Sequence, residues 1–192
     1  DFLVNYPANE GDLLLDLRVT DRPAEMLEQP VDFALRYGTP EDSGMVALPV
    51  APSNTRVLCA APSYLARYGE PESLGDLRKH NCLRFVRGDF PYSRWRFGRN
   101  GEQMIEVSGD RVADDGGAVR QWAVAGLGIA YKSQLDIADD LISGRLQKLL
   151  PELPGESAPL TLLVVSRSRI TPPIRRLAGY LASCCSARLA GV

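Results

Sequence analysis

Three places in the sequence put a cation or a bare backbone amide where a small anion could be held. Arg36 ends the apolar run 31–36 and is followed by Tyr37 and Gly38. A guanidinium can make two parallel hydrogen bonds to one carboxylate, so Arg36 is a candidate ligand residue, with a local salt bridge or a solvated charge as the ordinary alternative. Gly38 suits the backbone of a loop. Asp115-Gly116-Gly117 opens a predicted helix. Asp115 is expected to cap that helix, and the Gly116 and Gly117 amides are candidates for contact with an anion at its N-terminus. Tyr131-Lys132-Ser133 closes an apolar run. Lys132 is a candidate for an anionic ligand, although a solvated lysine is the commoner outcome. Thr20, at the end of a predicted strand, could donate its hydroxyl to a ligand or cap the helix that follows.

Catalytic chemistry finds little to work with. His80 is the single histidine, and it follows Arg78-Lys79 at a helix end, where a cation complements the dipole. Cys59, Cys82, Cys184 and Cys185 contain no CxxC pair, and neighbours such as Cys184-Cys185 do not pair without strain, so buried or free thiols are expected rather than a zinc site. Asp114-Asp115 and Asp139-Asp140 are expected at the surface or as caps. Gly126-Leu127-Gly128 stands after a helix and before a strand, the wrong order for a dinucleotide fingerprint, and reads as a turn. No enzyme, metal or cofactor is predicted. The net charge of -2 argues against a surface that binds duplex phosphates, and no apolar stretch is long enough to span a bilayer. The opening residues carry neither an initiator Met nor a secretory leader, which reads as a fragment of a longer protein.

The elements that must position these residues alternate between strand and helix. A helix end is expected at 2–7, a strand over 13–20, a short helix after Asp21-Arg22-Pro23, and strands over 31–36, 45–50 and 55–60. Pro62–Arg67 reads as a helix ended by Gly69, and Ser73 with Asp76 as a capping box. Strands follow at 82–86, 93–97 and 103–108, the last two joined at Asn100-Gly101. The helix from Asp115 carries Val119, Trp122 and Ala123 on one face and closes at Gly126. A strand over 128–132 leads to a helix capped by Ser133, carrying Leu135, Ala138 and Leu141 and ended by Gly144. Strands at 146–150 and 160–166 and a final helix after Thr171-Pro172-Pro173 complete the chain. The pattern predicts an α/β protein of two lobes. Residues 1–60 with 160–192 form one lobe and 61–159 the other. Two crossings make a hinge and a cleft suited to a small ligand.

The ordered series 32–38 (DFALRYG), 56–65 (RVLCAAPSYL), 76–83 (DLRKHNCL), Trp95-Arg96-Phe97, Asp115-Gly116, 125–130 (AGLGIA) and Gly144-Arg145-Leu146 resembles the C-terminal effector-binding domain of LysR-type transcriptional regulators over nearly the whole chain. The resemblance implies a fold like the type 2 periplasmic binding proteins, with two crossover strands and an interlobe cleft. It implies a small-molecule inducer in that cleft, assembly as homodimers or homotetramers, and a cytoplasmic protein. DNA would be bound only through a winged helix-turn-helix domain upstream of this chain. It also implies a strand and a ligand-contacting loop ahead of residue 1. Many family members carry an apolar residue and proline where Lys132 and Ser133 stand. The runner-up is a transporter's solute-binding protein of the same fold; a transferase on a similar two-lobed fold would need a site that one histidine does not supply.

Overall fold

The computed structural model describes residues 2–4, 6–7, 13–19, 31–38, 44–87, 90–98 and 100–192. Its strands form two main sheets, each with its own core. The first sheet contains β1 (Ala34–Tyr37), β2 (Val46–Ala51) and β11 (Leu160–Val164), with β11 in the middle and antiparallel to both neighbours. A central strand is covered on every side, which explains why β11 is the most continuously apolar strand. The last helix, α4 (Pro172–Leu189), starts on two prolines, whose missing N–H groups cost nothing in a first turn. Ile174, Ala178, Leu181 and Cys185 recur on one face and close over Val50, Leu162 and Val164.

The second sheet runs β10 (Gln147–Leu149), β3 (Arg56–Ala60), β9 (Ile129–Ser133), β4 (Cys82–Arg87) and β5 (Phe90–Pro91), with β8 (Val112–Ala113) beside β4. β9 shows the period-two logic directly. Ile129 and Tyr131 pack on one face with Trp95, Phe97 and Leu77, whereas Ala130 packs on the other with Val119, Ala123 and Ile137. The hairpin β6 (Arg94–Phe97) and β7 (Gln103–Glu106) covers the first face, turning through Gly98 and Gly101 at φ +89° and +68°. Helix α2 (Gly116–Val124) covers the second. The capping box at Ser73 starts a 3-10 helix over Leu74–Lys79, and α1 (Pro62–Tyr68) ends at Gly69 as expected.

Three expectations are corrected here. The alternating residues 13–19 form no strand: Leu14, Leu17 and Val19 are exposed, and among the described residues none pairs with them to bury the apolar side. The helix expected after Asp21 and the candidate Thr20 lie outside the described residues. Ser133 is the last residue of β9 rather than a helix cap, and α3 (Ala138–Ile142) begins after Ile137. Asp140 is no surface carboxylate. It is fully buried and gathers Arg120 (Nε 2.5 Å) and Arg145 (Nη2 2.6 Å), which ties α2 to α3 and the turn beyond it. Its neighbour Asp139 is exposed and pairs with Arg188 of α4.

The division placed after residue 60 moves back by one strand. Arg56–Ala60 pairs with β9 and β10, so the crossing out of the first sheet occupies 52–55 and the return passes through 155–159. Asn54 holds these crossings together. It is 1% exposed. Its Nδ2 donates to Ser133 Oγ (2.9 Å) and to the Ala158 carbonyl (2.6 Å), its Oδ1 accepts from Leu135 N (3.0 Å), and its own carbonyl accepts from Ala158 N (2.9 Å). Gly155 lets the return strand lie on the outgoing one, because a Cβ there would stand 1.8 Å from the Arg56 carbonyl oxygen. Asn54→Ala strips partners from a buried hydroxyl, carbonyl and amide at once, and is expected to lower stability by about 2–4 kcal/mol in urea unfolding. A loss within about 0.5 kcal/mol would mean that the crossings are held by other contacts.

Candidate functional site

Sheet polarity decides where a ligand can approach. β4, β8 and β9 run parallel, so Phe85, Ala113 and Ser133 lie at their carboxyl ends, on one edge of the second sheet. β3 is antiparallel to β9 and brings its first residue, Arg56, opposite Ser133 on that same edge. The N-terminus of α2 follows directly from β8. Arg56 is also where the first crossing ends, so this edge faces the hinge and the first sheet. The crevice outside the carboxyl ends of parallel strands is the usual ligand site of such sheets.

Lys132 is the central cation of this edge, and it is not solvated. It is 6% exposed. Its Nζ donates to the Gly116 carbonyl (2.7 Å) and pairs with Asp136 (2.5 Å). Gly116 lies tight beside it, since a Cβ there would be 3.1 Å from the ammonium. Asp115 caps α2 as expected, accepting from Gly117 N (2.7 Å) and Ala118 N (3.3 Å). The Gly117 amide is thereby committed to its own cap, while Gly116 stays in contact with Lys132.

From the first lobe, β1 delivers Tyr37. Nearly half of its surface is open, and its hydroxyl lies in the electrostatic surroundings of Ser133, Asp136 and Arg56 of the second lobe. Ser133 Oγ accepts from Asn54 (2.9 Å). Burial of the hydroxyl pushes the Tyr37 pKa up, partly opposed by Ser133 and reinforced by the nearby Asp136 carboxylate. Gly38 N donates to the Pro159 carbonyl (2.9 Å) at φ +96°, turning the chain away at the cleft edge. Arg36 is half-buried on β1, opposite Thr161 of β11. Next to these, the Arg56 guanidinium lies 5.0 Å from the Phe85 ring centroid and 5.8 Å from that of Tyr92, with Glu156 at 3.9 Å. Tyr92 donates a short hydrogen bond to the Glu156 carboxylate.

The structure brings together Gly116 and Lys132 of the nominated residues, with Asp115 and Gly117 beside them on α2, while Arg36, Tyr37 and Gly38 lie on β1 and its end in the other lobe. It does not bring Tyr131 to them. That ring is buried between Trp95 and Phe97, its hydroxyl donates to the Arg96 carbonyl (2.5 Å) and accepts from Glu156 N (2.5 Å), and its pKa is pushed up to about 12 by burial. Period two places Tyr131 on the face opposite Lys132. His80 faces the Tyr64 hydroxyl (3.2 Å), and burial lowers its pKa. Cys59 and Cys82 are buried thiols pushed up to about 12 by desolvation, whereas Cys184 is exposed. Among the described residues no His/Cys/Asp/Glu group could hold a metal, and no helix is long and apolar enough to cross a membrane. Two open surface grooves, of about 970 and 470 Å3, are lined by neither Arg36, Tyr37, Gly116 nor Lys132.

The sequence pattern of the LysR substrate binding domain matches residues 2–185. The chain belongs to this family. It is 30% identical over 190 residues to the HTH-type transcriptional activator TtdR of Escherichia coli K12, covering 98% of this chain and 59% of TtdR. It is 32% identical over 170 residues to the HTH-type transcriptional regulator DmlR of the same strain, covering 87% of this chain and 55% of DmlR. The regulatory domain of CrgA, a LysR-type regulator from Neisseria meningitidis, superimposes with a TM-score of 0.70 at 27% identity, over 83% of this chain and 78% of that one. The chain thus spans a little under three-fifths of its curated relatives, and it has the two-lobed architecture of LysR regulatory domains. These relatives are regulators rather than enzymes, and they favour the regulator reading over the transporter one.

In this LysR substrate-binding domain the sequence reading missed Asn54, Arg56, Ser133 and Asp136. Asn54 carried a signal, a polar residue between two predicted apolar strands. Asp136 stands four residues after Lys132, a spacing that reads as a helical pair only if the strand between them is ignored. Asp115→Ala removes the two amide partners at the cleft end of α2 and is expected to cost about 1 kcal/mol, a fall of about 2–4 °C in melting temperature. An unchanged melting temperature would show that α2 needs no cap there.

Proposed function

We propose that this chain is the effector-sensing domain of a LysR-type transcriptional regulator and that a small organic anion binds between its lobes. The observation that carries the reading is Lys132, a buried cation at the carboxyl edge of parallel strands, paired with Asp136, whose charge also reaches Tyr37 of the opposite lobe. Arg36, Tyr37, Lys132 and the Gly116 backbone are the contacts we assign to the ligand, with Gly38 and Gly117 shaping the walls. Thr20 is retained on sequence grounds alone. Asp115 acts through the helix it caps, and Tyr131 through the core beneath the site. We infer that the whole regulator reaches DNA through a helix-turn-helix domain outside this chain, in line with the name of the HTH-type activator it resembles, and that it assembles as a homodimer or homotetramer and works in the cytoplasm.

Closure of the lobes on a ligand couples binding to the two crossings. A ligand at a hundred times its dissociation constant adds about 2.7 kcal/mol to stability. A thermal-shift screen against small carboxylates, amino acids and aromatic acids is expected to give a rise with one chemical class. Arg36→Ala is expected to weaken that compound about tenfold or more in calorimetry while leaving cooperative unfolding intact. Unchanged affinity would remove Arg36 from the site, and no rise with any anion would count against the anionic class.

A further inference from the structure

We propose that Asp136 is the internal occupant of the anion position in this site, and that the anionic group of the effector binds by exchanging with it on Lys132. The inference rests on the reading above and specifies how that site is regulated. Lys132 carries its ammonium into a place where only 8% of the side chain meets solvent. A buried ammonium requires a counter-charge, because an unpaired one is strongly destabilising. The Gly116 carbonyl contributes a dipole but no charge, so the counter-charge at Nζ is the Asp136 carboxylate.

Asp136 is built to leave without taking the fold with it. Its backbone N–H is held by the Ser133 carbonyl (3.1 Å), and the residues before it are pinned to the hinge, Gln134 N to the Thr55 carbonyl (2.9 Å) and Leu135 N to Asn54 Oδ1 (3.0 Å). Leu135 is buried in the core of the first lobe. The carboxylate itself is one-third exposed, so rotation of one short side chain moves it into solvent. Lys132 remains paired throughout, first by Asp136 and then by the incoming anion. The exchange fixes two properties. Effector affinity is set below that of an open cation by the strength of the resident pair. A neutral compound of the same shape gains nothing from Lys132, because it cannot replace the carboxylate.

The test uses the full 192-residue chain and formate as the probe, the smallest carboxylate that fits the space left by the side chain. Asp136→Ala is expected to lower the melting temperature by about 5 °C or more. Sodium formate is then expected to restore it along a saturating curve that sodium chloride at the same ionic strength does not reproduce. In the double variant Lys132→Met with Asp136→Ala there is no ammonium to pair, and the formate response is expected to vanish. Should Asp136→Ala fail to fold in chloride, refolding in formate against refolding in chloride makes the same comparison. No formate-specific recovery, or an equal recovery in the double variant, overturns the proposal. The result does not depend on the Arg36 titration or on knowing the effector, so failure of the exchange and failure of the sensing assignment are told apart.

Discussion

One buried amide side chain sets the relation between the two halves of this molecule. Asn54 spends its donor and acceptor groups on the return crossing, on the end of β9 and on the turn that follows it. No apolar residue could do this, because the three segments offer a hydroxyl, a carbonyl and an N–H, each of which needs a partner once water is excluded. The carboxyl edge of the second sheet is thereby directed at the first lobe, and the cleft follows from that direction. The Asn54–Ser133 hydrogen bond ties the hinge to the end of β9, at the edge that meets the first lobe.

The electrostatics of the edge are those of a site whose charges are already matched. Lys132 is opposed by Asp136, Arg56 by Glu156, and Asp115 by the amides of its own helix. The aromatic faces of Phe85 and Tyr92 hold the Arg56 guanidinium in one plane. Matching keeps buried charges tolerable in a protein that spends part of its life without a ligand. Under the proposed exchange, recognition would proceed by substitution of partners rather than by filling an unmet charge. Behind the edge, Asp140 clamps Arg120 and Arg145, holding α2 in the orientation that presents Gly116 to Lys132.

Much of this was legible in the sequence where local chemistry agreed with the final fold. The Asp115 cap, the Gly126 and Gly144 helix ends, the Asn100-Gly101 hairpin and the final amphipathic helix each rest on neighbours within a few residues. What failed rests on distant partners. Alternation over 13–19 has the period of a strand, yet a strand exists only where another offers a ladder to pair with. Asp140 looks like a surface residue until two arginines 20 and 5 positions away converge on it. Tyr131 and Lys132 are adjacent in sequence and share an apolar context, but alternate residues of a strand face opposite sides, so one entered the core and the other the site. The lobe boundary slipped by one strand because β3 is as apolar as its predecessor, and only its pairing with β9 shows which sheet it joins.

The central claim is that a small anion binds at the carboxyl edge of the second sheet and bridges to the first lobe. Its most direct test is a two-dimensional amide NMR titration of the chain with the compound class that raises its melting temperature. The account predicts that the largest shifts fall on Gly38, Gly116, Gly117 and Ser133, with the crossings at Asn54 and Ala158 moving in step. Shifts centred instead on the groove around Leu74 and Leu153, with the cleft amides unmoved, would contradict it.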